Sequence, residues 1–418
     1  MTGLHWYIAR RYLSAGRGRG LLSLITWIAL GGVTVGVWAL VVVIAVMTGM
    51  QEDLRNKILE SSPHVIVLQS GASLRLDDWS TVLDSVTDHP DVIGAAPFAL
   101  SQVSVVNRSE GGSYSQPALL YGVSIDTTRV APTDMEQRIA EGALSLSSTE
   151  SGLPPILMGS GLADRMQVFE GDRMVLVALE NLRQDVFGGL TPTIREFEVT
   201  GTFTTGMWDY DTRNIYTTFE AAADLLGMPE GSAAGIGVRT RDPERAGEVA
   251  SELSEELGYP YYVESWMTTN RALFSALRLE KLAMGLILFL VVLVAAFNIV
   301  STLVMVVSDR TREIGILKAM GMTRAGILRV FMMQGAWIGI VGTTLGTVLG
   351  VLSAWALGRY EIIKIPPDVY FIDHLPVSLQ AADVVLIVGA SILVAFLATI
   401  YPALQASRLE PVEAIRHE

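Results

Sequence analysis

The chain has 418 residues, 50% of them hydrophobic and 17% charged, with a formal net charge of −13 and no cysteine. A soluble domain carries nearer a quarter of its residues charged, so this composition excludes an ordinary soluble protein. The acidic balance excludes a nucleic-acid partner, which needs a basic footprint, and the lack of cysteine excludes disulfides and a thiol acylation site.

The apolar excess lies in four runs, Leu21–Met47, Leu282–Val307, Val330–Leu357 and Val384–Ile400. Each reaches the ~17 residues that cross a hydrocarbon layer. Residues 50–275 hold 33 of the 43 acidic residues but only 15 of the 30 basic ones, and the rest of the chain is net positive. Basic flanks stay on the cytoplasmic side. The expected fold is therefore an α-helical four-span membrane domain, with a mixed α/β domain inserted between spans 1 and 2 on the exported side.

Residues 1–20 form a cytoplasmic N-terminal segment with Arg10, Arg11, Arg17 and Arg19 and no acid. Residues 21–48 are the first span. It is too long for the 7–15-residue apolar core of a signal peptide. Gly32 and Gly36 in it are spaced for close helix approach, and packing is their default role. Met47 and Met50 at its exit fit either packing or an adaptable greasy lining. Residues 49–63 continue as a charged stalk helix with Leu54, Ile58 and Leu59 on one stripe, closed before Pro63.

Residues 64–264 read as the α/β domain. Strands are expected over 64–69, 102–106, 118–123, 174–179, 196–203 and 235–239. Helices are expected over 77–86, 160–166, 219–226 and 243–257, with Pro243 in a first helical turn after Asp242. The length has room for two packed subdomains. The five histidines are scattered, and neither HExxH nor GxSxG nor GxxxxGK[ST] occurs. The sequence thus offers no catalytic residue, no metal site, no cofactor and no nucleotide-binding loop of its own. The stretch 180–195, ENLRQDVFGGLTPTIR, is long for a hairpin connection. Val186, Phe187, Leu190 and Pro192 in it read either as a protein contact or as a loop folded back on its own domain.

Residues 265–281 form a second stalk helix with Trp266, Leu273, Leu277 and Lys281. Residues 282–307 are span two, with Asn298 its strongly polar residue. Residues 308–329, SDRTREIGILKAMGMTRAGILR, carry five basic residues and two acidic ones. About two turns of helix are expected over 313–320, closed at Gly321. The charges alone fit either a topology anchor or a surface helix that docks into another protein. Residues 330–358 are span three, with glycines at 342, 346 and 350 making a smooth face. Residues 359–380 are an external loop, 381–402 span four and 403–418 a cytoplasmic tail.

Several of these segments carry a family resemblance. ARRYL, the first span with its exit MTGMQEDLR, PPILMGSGLADRMQVFEGDRMVL, DRTREIGILKAMG, PPDVYFIDHLPV and YPALQASRLEPVEAIR resemble a LolC/LolE-type permease of the lipoprotein-releasing ABC transporter, nearly end to end. The coupling segment is shared with the wider FtsX/MacB-like superfamily, while the last two motifs favour LolC/LolE. The resemblance implies a multi-pass protein of the cell inner membrane, N- and C-termini cytoplasmic, with a periplasmic domain. It is not itself an enzyme. It implies as partners a separate LolD-like ATPase, a second permease protomer (LolE-like or identical), a lipoprotein substrate and a LolA-like periplasmic chaperone. It assigns ATPase coupling to Arg312, Glu313, Ile314, Leu317 and Lys318, with Ile314 and Leu317 as the apolar insert. It assigns chaperone binding to Val186, Phe187, Leu190 and Pro192, and the lipoprotein cavity to Val43, Met47 and Met50. The competing reading is a MacB/FtsX-type mechanotransmission permease that drives an efflux or cell-wall-hydrolase partner. A membrane receptor is a third, disfavoured because it needs no basic helix between spans.

Overall fold

The computed structural model describes residues 20–71, 75–109, 112–124, 130–140, 144–146, 149, 151–184, 190–360 and 375–409. They fall into two compact units. One holds residues 20–52, 276–360 and 375–409, the other residues 53–275.

The first unit is helical. Its long helices are α1 (Gly20–Ser61), α9 (Arg271–Asp309), α11 (Arg324–Tyr360) and α12 (Ala381–Arg408), with the short α10 (Thr311–Ala319) between α9 and α11. The four long ones have windows of mean hydropathy 1.7 to 2.8. A chain in lipid must satisfy every backbone group internally, which a helix does. At 1.5 Å per residue, α1 with 42 residues and α9 with 39 run to ~60 Å each, about twice the hydrocarbon thickness. The division between the units falls within each of these two helices.

Gly342, Gly346 and Gly350 of α11 make the expected smooth face, toward α1, while Gly335 and Gly339 serve α12. A Cβ at Gly335 or Gly339 would lie 1.8 Å from Thr399 Cγ2 or 2.5 Å from Ala395 Cβ, both on α12. One at Gly342, Gly346 or Gly350 would meet Val33, the Thr34 carbonyl or Val41 of α1 at 2.8, 2.6 and 2.6 Å. Gly32 of α1 lies under the Asn298 amide of α9, 2.4 Å from a Cβ built there. At the exit of α1, Gly49 allows the Pro376 backbone to pass, the Ser378 N–H donates to the Ala45 carbonyl at 3.0 Å, and Thr48 donates to Asp383 at 3.1 Å.

The second unit has, in chain order, β1 (Val65–Gln69), α2 (Trp79–Thr87), β2 (Val92–Ser109), β3 (Gly112–Val123), α3 (Asp134–Ala140), β4 (Pro155–Gly159) and α4 (Ser160–Met166). There follow β5 (Arg173–Gln184), β6 (Leu190–Phe203), α5 (Trp208–Arg213), β7 (Asn214–Thr218), α6 (Phe219–Leu226), β8 (Gly235–Thr240), α7 (Ala246–Leu257), β9 (Tyr261–Ser265) and α8 (Trp266–Thr269). The strand order is β3-β7-β4-β6-β5-β2-β8-β1-β9, and β3 also pairs with β2. Six strands therefore close a ring, and β2 continues from it into a four-stranded sheet. The ring encloses Val103, Leu120, Met158, Leu176, Phe197 and Ile215, with α4 and α6 packed in. The open sheet packs β1 and β8 against Val82 and Val86 of α2 and Val249 and Leu253 of α7, with Trp266 and Ile58. Two cores share one long strand, so the domain holds two subdomains without a linker. Gly159 is required where the chain leaves β4: a Cβ there would lie 2.2 Å from the Asp211 carbonyl of α5.

Four expectations need correction. Residues 180–184 and 190–195 are strand rather than loop: β5 and β6 pair through Leu182 with Pro192 and Gln184 with Leu190, past an irregularity between Ala178 and Leu182. The second stalk helix is interrupted, because Asn270 Nδ2 donates to the Trp266 carbonyl at 2.8 Å and ends α8 before α9 begins. The helix of span four continues past Pro402, since α12 runs to Arg408 with Ala403 and Ala406 fully buried. Strands β4, β7 and β9 were not expected.

Candidate coupling site

The segment between α9 and α11 is built for a rigid, tightly turned helix. Thr311 Oγ1 donates to the Val307 and Ser308 carbonyls at 3.1 and 2.8 Å, stitching the start of α10 to the end of α9. The C-terminus closes as a Schellman motif. The Met322 N–H donates to the Leu317 carbonyl and the Gly321 N–H to the Lys318 carbonyl, each at 3.0 Å, with Gly321 at φ +98°. Only glycine takes that backbone without strain.

One face of α10 is committed to its own chain. Ile314 is 0% exposed and packs with Val306, Val307, Ile327, Phe331, Ala403 and Ala406, with Leu317 half-buried beside it. Lys318 Nζ donates to the carbonyls of Ser407 and Leu409 at 2.7 and 2.6 Å, capping the end of α12. A cation suits a helix C-terminus, where the last carbonyls lack partners. Arg310 is buried and pairs with Glu313 at 2.9 Å.

The opposite face is open. Arg312 and Glu313 are exposed, and so are two large apolar residues, Ile316 at 45% and Met320 at 80%. Of the two residues assigned as an apolar insert, Ile314 is core and Leu317 half-buried in this structure, while Ile316 and Met320 are the exposed apolar residues of the helix. Lys318 acts inside the chain. Residues 312, 316 and 320 form an i, i+4, i+8 stripe along this face.

The other two assigned groups are placed as follows. Val186 and Phe187 lie outside the described residues. Leu190 and Pro192 are in β6, and the paired hairpin exposes Leu179, Leu182 and Ile194, which sequence reasoning missed. Val43, Met47 and Met50 are half-buried and share one face of α1 at i, i+4, i+7. The buried stripe Val33, Val37, Val41 and Ala45 occupies another face. No group of three His, Asp or Glu able to hold a metal occurs among the described residues.

A family model for the MacB-like periplasmic core domain matches residues 26–256, and one for the FtsX-like permease C-terminal region matches 285–411. The lipoprotein-releasing system transmembrane protein LolC of Xylella fastidiosa (strain Temecula1) is 34% identical over 98% of each chain. The chain belongs to the LolC/LolE family. LolC of Neisseria meningitidis serogroup B is 32% identical over 100% of each chain, and LolE of Haemophilus influenzae 26% over 98%. LolC/LolE membership sets α10 within the FtsX-like part, between two of the four apolar helices of a multi-pass inner-membrane protein.

Proposed function

We propose that this chain is the permease subunit of an ABC transporter that extracts lipoproteins from the inner membrane and passes them to a periplasmic chaperone for delivery to the outer membrane. Family membership over the full length supports the reading. The observation that carries the mechanism is α10. It is a short helix anchored on α12 by Ile314 and Lys318, with Ile316, Met320, Arg312 and Glu313 turned outward. A buried lipid chain resists extraction by about 0.8 kcal/mol per CH₂. A three-chain anchor is then held by tens of kcal/mol, so extraction must draw on ATP. The chain has no nucleotide-binding loop of its own, and the outward face of α10 suits docking to a separate LolD-like ATPase.

The remaining assignments belong to the same proposal. The N- and C-termini and α10 lie in the cytoplasm, and the β-rich unit lies in the periplasm. Residues 49–63 and 265–281 act as stalks that carry force along α1 and α9. A second permease, LolE-like or identical, completes a cavity lined by Val43, Met47 and Met50. The segment 180–195, with Val186, Phe187, Leu190 and Pro192, receives a LolA-like chaperone.

Affinity purification from detergent-solubilised membranes, followed by mass spectrometry, tests the reading. A P-loop ATPase together with triacylated lipoproteins is expected, and a second permease species would separate heterodimer from homodimer. An ATPase with a cell-wall hydrolase or efflux adaptor and no lipoprotein would overturn it in favour of mechanotransmission.

A further inference from the structure

The β-rich unit contains a cavity of about 200 Å³ that the transport reading leaves unused. Its walls include Phe98, Tyr121 of β3, Tyr210 of α5, Tyr216 of β7 and Trp266 of α8, with the Glu136 carboxyl of α3 among them. Tyr121 and Tyr216 stack with centroids 5.2 Å apart. Tyr210 is fixed by a 2.9 Å hydrogen bond with Ser62, and Trp266 donates to the Pro243 carbonyl at 2.9 Å. Glu136 also borders a second cavity of about 280 Å³, beside Trp79 and Asp84 of α2.

Glu136 has no cationic partner among the described residues. On its own helix Asp134 is paired with Arg239 of β8 at 2.6 Å, and Thr133 turns its hydroxyl to the Glu136 N–H at 3.1 Å. The other titratable groups lining the two cavities are Tyr121, Tyr210 and Tyr216 on one side and Asp84 on the other. A half-buried carboxyl without a counter-charge is disfavoured as the anion. Burial pushes it up to about 8, against a smaller downward pull from Thr133. Aromatic faces carry the negative side of a quadrupole and attract cations, and most of all organic ammonium groups.

We propose that this cavity binds a small organic ammonium group, its charge against the Glu136 carboxylate and its carbons against the half-buried rings of Phe98, Tyr121 and Tyr210. The combination discriminates against metal ions, for which a single carboxylate is too few oxygens, and against anions. A proton competes with the ligand for Glu136, so affinity rises with pH up to about 8 and is flat above it.

The test uses the full-length solubilised protein at pH 8.5, titrated with choline chloride and ethanolamine hydrochloride against sodium chloride of equal ionic strength, read by calorimetry. Saturable binding is expected. It should weaken at least tenfold in Glu136→Gln and in Tyr121→Leu, each checked for a cooperative unfolding transition no lower than the parent's, and by nearly tenfold per pH unit below 8 in the parent protein. The parent pH series stands even if a variant fails to fold. Repeating the choline titration in discs of phosphatidylethanolamine and of phosphatidylglycerol separates the sources. Competition only in the former means the ammonium is a lipid headgroup, and equal binding means it is a free amine. Absence of saturable binding, or equal affinity for the neutral isostere 3,3-dimethylbutanol, overturns the proposal.

Discussion

Replacing Ile316 and Met320 together by serine should detach the ATPase while leaving the permease folded. Full burial of an Ile or Met side chain is worth ~2 kcal/mol. Ile316 is 45% exposed and Met320 80%. Docking can therefore recover at most ~1 kcal/mol from the first and ~1.6 kcal/mol from the second by the same scale. Their joint loss corresponds to about a 70-fold weaker complex at 1.4 kcal/mol per tenfold. Ile314→Ala is the matched control. Ile314 is 0% exposed, so the substitution removes nothing from the outer surface but opens the core between α10 and α12, at a cost of roughly 2–4 kcal/mol in stability. The assay is binding of purified ATPase to the reconstituted permease, beside thermal unfolding of each variant. Affinity of the double variant within threefold of the parent would refute the docking face. So would an Ile314→Ala protein that keeps its unfolding temperature yet loses the ATPase.

Lys318→Met removes two charge-assisted bonds to the end of α12. It should cost ~1–3 kcal/mol and speed hydrogen exchange over 404–409, with ATPase affinity changed less than threefold. Gly346→Leu should destabilise the helical unit by ~1–3 kcal/mol or more, because its Cβ would sit 2.6 Å from the Thr34 carbonyl, whereas Gly389→Leu, with nothing within 4 Å, should not shift thermal unfolding. His64 is held below the usual imidazole range, chiefly by burial and then by Arg239. The Thr240 N–H donates to its Nδ1 at 3.2 Å, so the folded state holds the neutral ring. The unfolded state then binds the extra proton, and stability present above the ordinary value of 6.5 is lost as pH falls toward the folded one. Thermal unfolding should drop between pH 7 and pH 5, with a shallower drop in His64→Gln. Glu136 has the opposite sign. Its folded value is raised to about 8, so its contribution is lost as pH rises from the ordinary carboxylate range toward 8. Glu136→Gln should accordingly raise the unfolding temperature at pH 8.5 and leave it nearly unchanged at pH 5.

The membrane helices were legible because they need no partner to be recognised: length and hydropathy alone demand a helix in lipid. The β-rich unit was legible where strands are rich in Val, Leu and Phe, as in β5 and β6. It was not legible at β7, where Asn214 and Thr217 are buried polar residues. Thr217 is satisfied there by the Pro155 carbonyl at 2.7 Å, a bond to a strand 62 residues away. Strand β4 is buried along its whole length, but Pro155 and the Gly159-Ser160-Gly161 run that bound it read locally as turn. The Gly-Gly and Pro of the Glu180–Arg195 stretch are turn signals, yet β5 and β6 stay paired as far as Gln184 and Leu190.

The site shows the same limit more sharply. Ile314, Ile316 and Leu317 are all good apolar candidates on one short helix, and helical periodicity can only sort them into stripes. It cannot say which stripe faces inward. That choice is made by Ala403 and Ala406 on α12 and by the Ser407 and Leu409 carbonyls, 89 and 91 residues from Lys318. The same contacts join α10 to the end of the last membrane helix. Under the proposed function, a push received at Ile316 and Met320 would reach α12 through Ile314 and Lys318 as well as α9 and α11 through the backbone. An energy-transducing helix needs both faces: one to be moved by a partner and one to move the rest of the chain. Lys318→Met separates the two roles, because it should leave ATPase docking intact while lowering the lipoprotein released per ATP hydrolysed. Unchanged coupling in that variant would mean that force leaves α10 through its covalent ends alone.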